Sequence, residues 1–364
     1  MPDSSRGNEY RIPVRGRGAV SNLEGRFQRW QREAVDDGWD NGDASPPSGP
    51  KTVVAADRAR SVITYNRSPD IPFDRSINPY RGCEHGCIYC YARPTHSYLD
   101  LSPGLDFETR IFYKADAAKL LRAELGKSGY ECAPIALGVN TDAYQPVERR
   151  LGVTRDILEV LLEHRHPVTL ITKSGLIERD LDLIAALARE NLTFVSVSVT
   201  TLEPELNRIL EPRAAGPQRR LRIIERLSEA GIPVGVMVAP IIPAINDHEI
   251  EAILEAVAER GARSASFVTL RLPHEVEPLF SEWLQTHFPM RAEHVLSLVR
   301  QMHGGRQYDS RFGRRMRGSG EMANLIAHRF RVAARRHGLD RGLPGLDCSR
   351  FRVPPRSGDQ ISLF

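Results

Sequence analysis

The sequence predicts an α/β protein. The expected form is a partial, TIM-like (β/α)6 barrel, open-sided, with a mostly helical, Arg-rich C-terminal extension. Three observations predict this. From about residue 134 to 273, short apolar runs alternate with stretches of helical spacing, which implies a parallel sheet with helices outside. About six such units fit the chain, where a closed barrel needs eight. Several strands turn polar at their C-terminal ends, where ligands of parallel α/β folds bind.

Residues 1–60 are rich in Gly, Pro, Ser, Arg and Asp, and read as a largely disordered segment. Within them NLEGRFQRWQREAV, 22–35, has helical spacing, with Leu23, Phe27, Trp30 and Val35 placed to dock on the main body. The core is expected over 61–275 and the basic helical extension over 276–364.

In the core, PIALGVN (134–140) is a strand, and TRDILEVLLEHR (154–165) a helix with Thr154 as its N-cap. PVTLITKS (167–174) is strand-like, RDLDLIAALARE (179–190) helical and LTFVSVSVT (192–200) a strand. PELNRIL (204–210) and QRRLRIIERLSEAG (218–231) are helical, the second stopped by Gly231. PVGVMVAP (233–240) is a strand. DHEIEAILEAVAERG (247–261) is a helix with Asp247 near its cap, and ARSASFVTLRLP (262–273) is the last strand.

In the 192–200 strand, Ser196, Ser198 and Thr200 share one side and Val195, Val197 and Val199 the other. Ala136, Gly138, Asn140 and Asp142 likewise share a side, as do Thr269 and Arg271. Buried parallel strands are usually apolar on both faces. Each hydroxyl alone is accounted for by a bond to neighbouring backbone. Three strands with polar ends together point to a polar cavity.

Composition sets the outer bounds. The chain has 364 residues, 41% hydrophobic and 26% charged, as ordinary globular proteins do. No apolar run approaches the ~20 residues of a membrane span. The start of the chain lacks the apolar core of a secretory signal, so a cytoplasmic location is expected. Residues 301–364 hold thirteen Arg, no Lys and five acidic residues, a local balance of +8 within a chain of +4. Guanidinium groups suit forked phosphate contacts, so nucleic acid is one expected partner; a solvated Arg-rich surface is the other reading.

The chemistry concentrates in RGCEHGCIYCYARP, residues 81–94. Cys83, Cys87 and Cys90 fall within eight residues. Five cysteines in all, with no export signal, argue against disulfides. A redox Cys-x-x-Cys pair leaves Cys83 without a role. A structural zinc site wants four ligands, for which His85 or His96 would have to join; the protein would then be a zinc-stabilised binding module without catalysis. An iron–sulfur cubane fits better. It normally takes one thiolate per iron, so three local thiolates leave one iron open. Gly82 and Gly86 permit the sharp turns this needs.

CEHGCIYC, residues 83–90, resembles the signature of the radical S-adenosylmethionine (SAM) enzymes, with an aromatic residue just before the third Cys. The flanking NPYRGCEHGCIYCYAR looks like the branch that includes the spore photoproduct lyases. GVNTDAYQPVE, ITKS, VSVSVTTLEPE and LEPRAAGPQRRL are similar in the same order, over roughly residues 60–275. The resemblance implies a [4Fe–4S] cluster on Cys83, Cys87 and Cys90, its open iron chelating SAM. One electron, from an external flavodoxin- or ferredoxin-type reductant, would release methionine and a 5′-deoxyadenosyl radical that takes hydrogen from the substrate. It implies Tyr89 beside the adenine, and polar SAM contacts from Asn140, Thr141 and Asp142. It further implies Lys173 at the methionine carboxylate, unless that side chain is a snorkelling surface lysine. Ser196 and Ser198 would contact the ribose or methionyl part, with Glu211 and Arg213 closing the site.

One departure touches the substrate. The lyases return a hydrogen atom from a cysteine near the end of the second strand, and Val139 stands there in this chain. Cys132 lies before that strand. Cys348, in the tail, is a candidate hydrogen donor, a ligand to a second centre, or a small buried hydrophobe. A nucleic-acid-directed lyase is therefore one alternative for an enzyme whose substrate stays open.

Overall fold

The computed structural model describes residues 14–27 and 50–354. Its first elements are the strands β1 (Val53–Ala56), β2 (Ile63–Tyr65), β3 (Arg75–Ile77) and β4 (Tyr80–Arg81). Helix α1 (Leu105–Thr109), β5 (Arg110–Tyr113) and α2 (Ala117–Leu125) follow. The alternating region comprises β6 (Ile135–Leu137), α3 (Glu148–Leu151), α4 (Val153–Glu163), β7 (Val168–Thr172), α5 (Leu181–Arg189) and β8 (Thr193–Ser198). It continues with α6 (Pro204–Leu210), α7 (Pro217–Glu229), β9 (Val234–Ile241), α8 (Ile250–Glu259) and β10 (Ser264–Thr269). Three helices complete the order, α9 (Val276–His287), α10 (Ala292–Met302) and α11 (Glu321–Arg336).

The main sheet runs β10-β9-β8-β7-β6-β3-β2. Six strands from β3 to β10 are parallel, and β2 pairs antiparallel at the edge. Each parallel strand lies beside its predecessor. Right-handed crossovers in one direction put every helix on one face, which is the winding of a barrel rather than of a doubly wound sheet. Among the described residues no pairing joins β10 to β2, so the barrel is open-sided as expected.

Helix spacing explains the outer layer. Ile157, Leu158 and Leu161 of α4, Ile184 and Leu187 of α5, and Ile223, Ile224 and Leu227 of α7 are buried with Val195 and Val197 in the larger apolar core. The other face of β8 carries half-buried Ser196, paired in register with Gly235 of β9. It is the small, polar inner face that the Ser/Val alternation predicts. Two details differ from expectation. Thr154 does not cap α4: its hydroxyl donates to the Ala143 carbonyl at 2.6 Å, and Gly152, at φ +71°, precedes the helix. No helix forms over 22–27, and Trp30 and Val35 lie outside the described residues.

The segments flanking the core are built into it. Ala19 is fully buried, and β1 joins a second sheet, β1-β5-β4. At the other end, residues 339–352 cross the sheet under the N-terminal ends of its strands. The Ala265 amide donates to the Leu339 carbonyl at 2.9 Å. Leu343 lies on Gly235, where a β-carbon would come within 2.8 Å of it. Asn191, just before β8, bonds Gly345 and Asp347. The Arg352 amide reaches the His164 carbonyl at 2.9 Å. No helix among the described residues is long and apolar enough to cross a membrane.

Candidate active site

The cysteine loop follows β4 and curls at two glycines, Gly82 at φ +78° and Gly86 at φ +68°. A β-carbon on Gly82 would meet the Phe107 and Arg110 carbonyls at 2.9 and 3.0 Å. One on Gly86 would meet Glu108 Oε2 at 2.6 Å. Only glycine satisfies both the left-handed backbone and the contact. Arg93 then ties the loop from within. It donates to the carbonyls of Cys87 at 2.9 Å and Gly86 at 3.1 Å, and pairs with Glu108 at 2.5 Å, both side chains being fully buried. Glu108 also accepts the amides of Gly18 and Ala19. Gln145 accepts the Glu84 amide and donates to the Gly82 carbonyl. Ile88, fully buried beside the α9–α10 core, donates its amide to the Leu210 carbonyl at 3.1 Å.

This scaffold presents three free thiols, Cys83 and Cys87 buried and Cys90 half-buried. Burial pushes the Cys87 thiol well up; nearby Glu211 adds to this and Lys173 opposes it. Cys90 is raised by burial too, with Cys83 adding to it. Binding a metal there would release protons. Among the described residues no three His, Cys, Asp or Glu side chains converge tightly enough for a single ion. Three free thiols on one loop are the kind of donor set that an iron–sulfur cubane uses, one thiolate per iron. The two histidines differ: His96 is committed to backbone, while His85 lies beside Cys83; burial opposes its protonation, but Asp142 and Cys83 together raise it to about 10. His96 donates from Nε2 to the Arg110 carbonyl at 3.0 Å and rests edge-on against Phe107. His85 turns Nδ1 to Asp142 Oδ2 at 3.3 Å.

Asp142 and Glu211 organise the charges around the loop. Asp142, after β6, accepts the Thr172 hydroxyl at 2.7 Å and the amides of Tyr144 and Lys173 at 2.9 Å each. Burial alone would raise its pKa, but His85, Lys173 and Thr172 hold it at about 2. Glu211, after α6, accepts Thr200 Oγ1 at 2.8 Å, Asn207 Nδ2 at 2.9 Å, the Tyr89 hydroxyl and the Arg220 guanidinium. Lys173 Nζ lies 3.6 Å away. Burial again opposes ionisation, and Arg220 and Lys173 overcome it, leaving Glu211 at about 2. Lys173 itself stays above its ordinary value: burial is outweighed by Glu211 and Cys87. Its ammonium sits 5.8 Å from the Tyr89 ring centre.

The ends of β6 and β7 and the turn after α6 thus bring Thr141, Asp142, Lys173 and Glu211 around the cysteine loop and its Tyr89. Asn140 and Thr141 are fixed by their amides to Asn78 Oδ1, at 2.8 and 3.4 Å. Ser198 is buried at the end of β8, and Ser196 lies deeper on the inner face. The Arg213 side chain does not join this group; it pairs with Glu84 at 2.9 Å and Thr52 at 3.3 Å, while its amide holds the His85 carbonyl. Cys348 is not placed to serve as hydrogen donor. It follows Asp347, whose amide bonds Asn191 at the N-terminal end of β8, opposite the cysteine loop. Sequence reasoning gave no role to Asn78, Arg93, Glu108 or Gln145. Asn78, Arg93 and Gln145 sit inside the segments that carry the family resemblance, which was the available signal.

At the mouth, Tyr91 donates to the Val139 carbonyl and Arg271 stacks on its ring at 4.1 Å. The loop bearing Arg311, Arg314, Arg315 and Arg317 joins β10 here, through the Thr269 amide and the Met316 carbonyl at 3.0 Å. Arg315 pairs with Asp70 at 2.5 Å, and Phe312 beside it is exposed.

The family model of the radical SAM superfamily matches residues 77–257, which span the loop and both carboxylate centres. An uncharacterized protein of Mycobacterium tuberculosis is 38% identical over 232 residues, 63% of this chain and 68% of that protein. Another, of Methanocaldococcus jannaschii, is 27% identical over 239 residues, 66% of this chain and 85% of that protein. Among solved structures, spore photoproduct lyase complexed with dinucleoside spore photoproduct has a TM-score of 0.57 at 15% identity, over 78% of this chain and 79% of that one. That likeness speaks for the fold, a partial TIM barrel. With three thiols on a glycine-curled loop at the open end of that barrel, the chain belongs to the radical SAM superfamily of enzymes.

Proposed function

We propose that this enzyme holds a [4Fe–4S] cluster on Cys83, Cys87 and Cys90 and binds SAM at the adjoining strand ends. The observation that carries the reading is the convergence of the cysteine loop with Lys173, Asp142 and Glu211 at one end of the sheet. When bound, the cluster supplies one electron that cleaves SAM to methionine and a 5′-deoxyadenosyl radical, which abstracts hydrogen from the substrate. The chain's own residues set the stage for this. Arg93 and Gln145 fix the loop backbone, so the thiols hold their spacing. Lys173 offers a cation for the methionyl carboxylate at the end of β7. Asp142 anchors that strand end through the Lys173 amide, and Asn78 orients the turn of Asn140 and Thr141. Glu211 locks the Tyr89 hydroxyl, which leaves the ring as a flat wall for the adenine. Ser196 and Ser198 line the deeper face with small hydroxyls.

The test is anaerobic reconstitution with iron and sulfide, followed by dithionite and SAM. About four irons per chain and release of 5′-deoxyadenosine are expected. Stoichiometric zinc with no cluster would sink the reading.

A second reading concerns the substrate. Arg271 stacks on Tyr91, and the loop that joins the end of β10 carries exposed Arg314 and Arg317 and the exposed ring of Phe312, while its Arg311 and Arg315 pair with Asp309 and Asp70. That combination suits a nucleic acid, whose phosphates take the charges and whose bases stack. The lyase with the similar fold is complexed with a dinucleoside photoproduct, which supports the same class.

A further inference from the structure

We infer that Cys132 and Cys348 are a reversible disulfide site that fastens the C-terminal strap to the floor of the barrel. The two residues are 216 positions apart in the chain. The two thiols are nevertheless direct neighbours, each within reach of the other's charge. Contacts on either side hold the two backbones together independently of the sulfurs. Phe351 packs its ring 5.4 Å from those of Tyr130 and His166. The Tyr130 hydroxyl in turn bonds His166 Nε2 at 2.7 Å. The Asp347 amide bonds Asn191 and the Arg352 amide bonds His164, one residue before and four after Cys348. Neither cysteine is deeply buried, so a small oxidant reaches both. No third metal-binding side chain joins them among the described residues, so the pair suits a disulfide and not an ion.

The chemistry needs a low-molecular-weight disulfide as oxidant. Cys348 attacks one of its sulfurs and expels a thiol, leaving a mixed disulfide on the tail. Cys132 then displaces the second thiol and closes the bond between the two protein sulfurs. Two protein thiols are oxidised, one small disulfide is reduced to two thiols, and the two protons leave with them. Burial, with the neighbouring Cys348 thiol adding to it, raises the Cys132 thiol. The exchange balances in the same way whichever thiol takes the small disulfide first. The cluster loop, at the opposite end of the strands, is remote from this exchange.

The full chain, reconstituted with iron and sulfide, is treated anaerobically with oxidised glutathione, alkylated, digested and read by mass spectrometry. A linked peptide pair containing Cys132 and Cys348 is expected. The melting temperature should rise on the order of 5 °C, since a long loop is closed, and dithiothreitol should reverse it. Cys132→Ser should leave glutathione on Cys348, with no link and no thermal shift, at unchanged iron content. Separate glutathione adducts on both cysteines of the unsubstituted chain, or links to Cys83, Cys87 or Cys90, overturn the inference. Because the readout is a peptide mass, its failure is distinct from a failure to cleave SAM.

Discussion

Glu211 is the residue on which most of the site's charge converges. It is fully buried and accepts from Tyr89, Thr200, Asn207 and Arg220, with Lys173 close by. Glu211→Gln leaves Arg220 and Lys173 short of a counter-charge, and breaking such buried pairs costs about 3–5 kcal/mol. A fall of that size in the free energy of unfolding by denaturant is expected, with less iron retained. The pH dependence follows from the same contacts. Glu211 and Asp142 both lie at about 2 in the folded chain, below their ordinary values of 4.5 and 3.8. Depressed carboxylates add stability above their unfolded values, and that stability is lost as pH falls from about 4.5 toward 2. The denaturant midpoint should drop across that window, and less steeply in Glu211→Gln. The sequence shows a carboxylate and a guanidinium two positions apart and cannot say which one faces inward. The turn after α6 sends Glu211 in and Arg213 out to Glu84.

At the scale of elements, the β/α alternation was legible because strand and helix periods differ, and the glycines of the cysteine loop were legible because close thiols demand tight turns. The second sheet was not. β1, β4 and β5 are four residues or fewer, and their pairing joins positions 53 and 110 that no local pattern connects. The Arg93–Glu108 pair is hidden for the same reason, since a buried ion pair looks like two surface charges in sequence. The loop's geometry is directly testable. Gly82→Ala puts a side chain into a left-handed backbone, at about 1–2 kcal/mol, besides the clash with Phe107 and Arg110. Iron bound after reconstitution should fall several-fold, measured by colorimetric assay, while far-ultraviolet circular dichroism stays near that of the unsubstituted chain. Full iron loading of Gly82→Ala would mean that the loop is not the cluster's scaffold.

Across the whole molecule, charge is unevenly spread, and the Arg-rich stretch reaches the site mouth where Thr269 meets Met316. If that face binds single-stranded nucleic acid, log affinity falls with log salt by about 0.7 per phosphate neutralised. Fluorescence anisotropy with a labelled oligonucleotide should show a steep slope. Arg314→Ala with Arg317→Ala should reduce it by about 1.4, the share of two phosphates. A slope unchanged by the double substitution would remove these arginines from the interface. The strap has another consequence, one of timing. Leu343, Phe351 and Arg352 leave the ribosome well after residues 130–235, yet they complete the packing around them. During translation the sheet must therefore stand with its lower end uncovered. The nascent chain is most exposed to aggregation, and to chaperone capture, in the interval before residues 343–352 arrive.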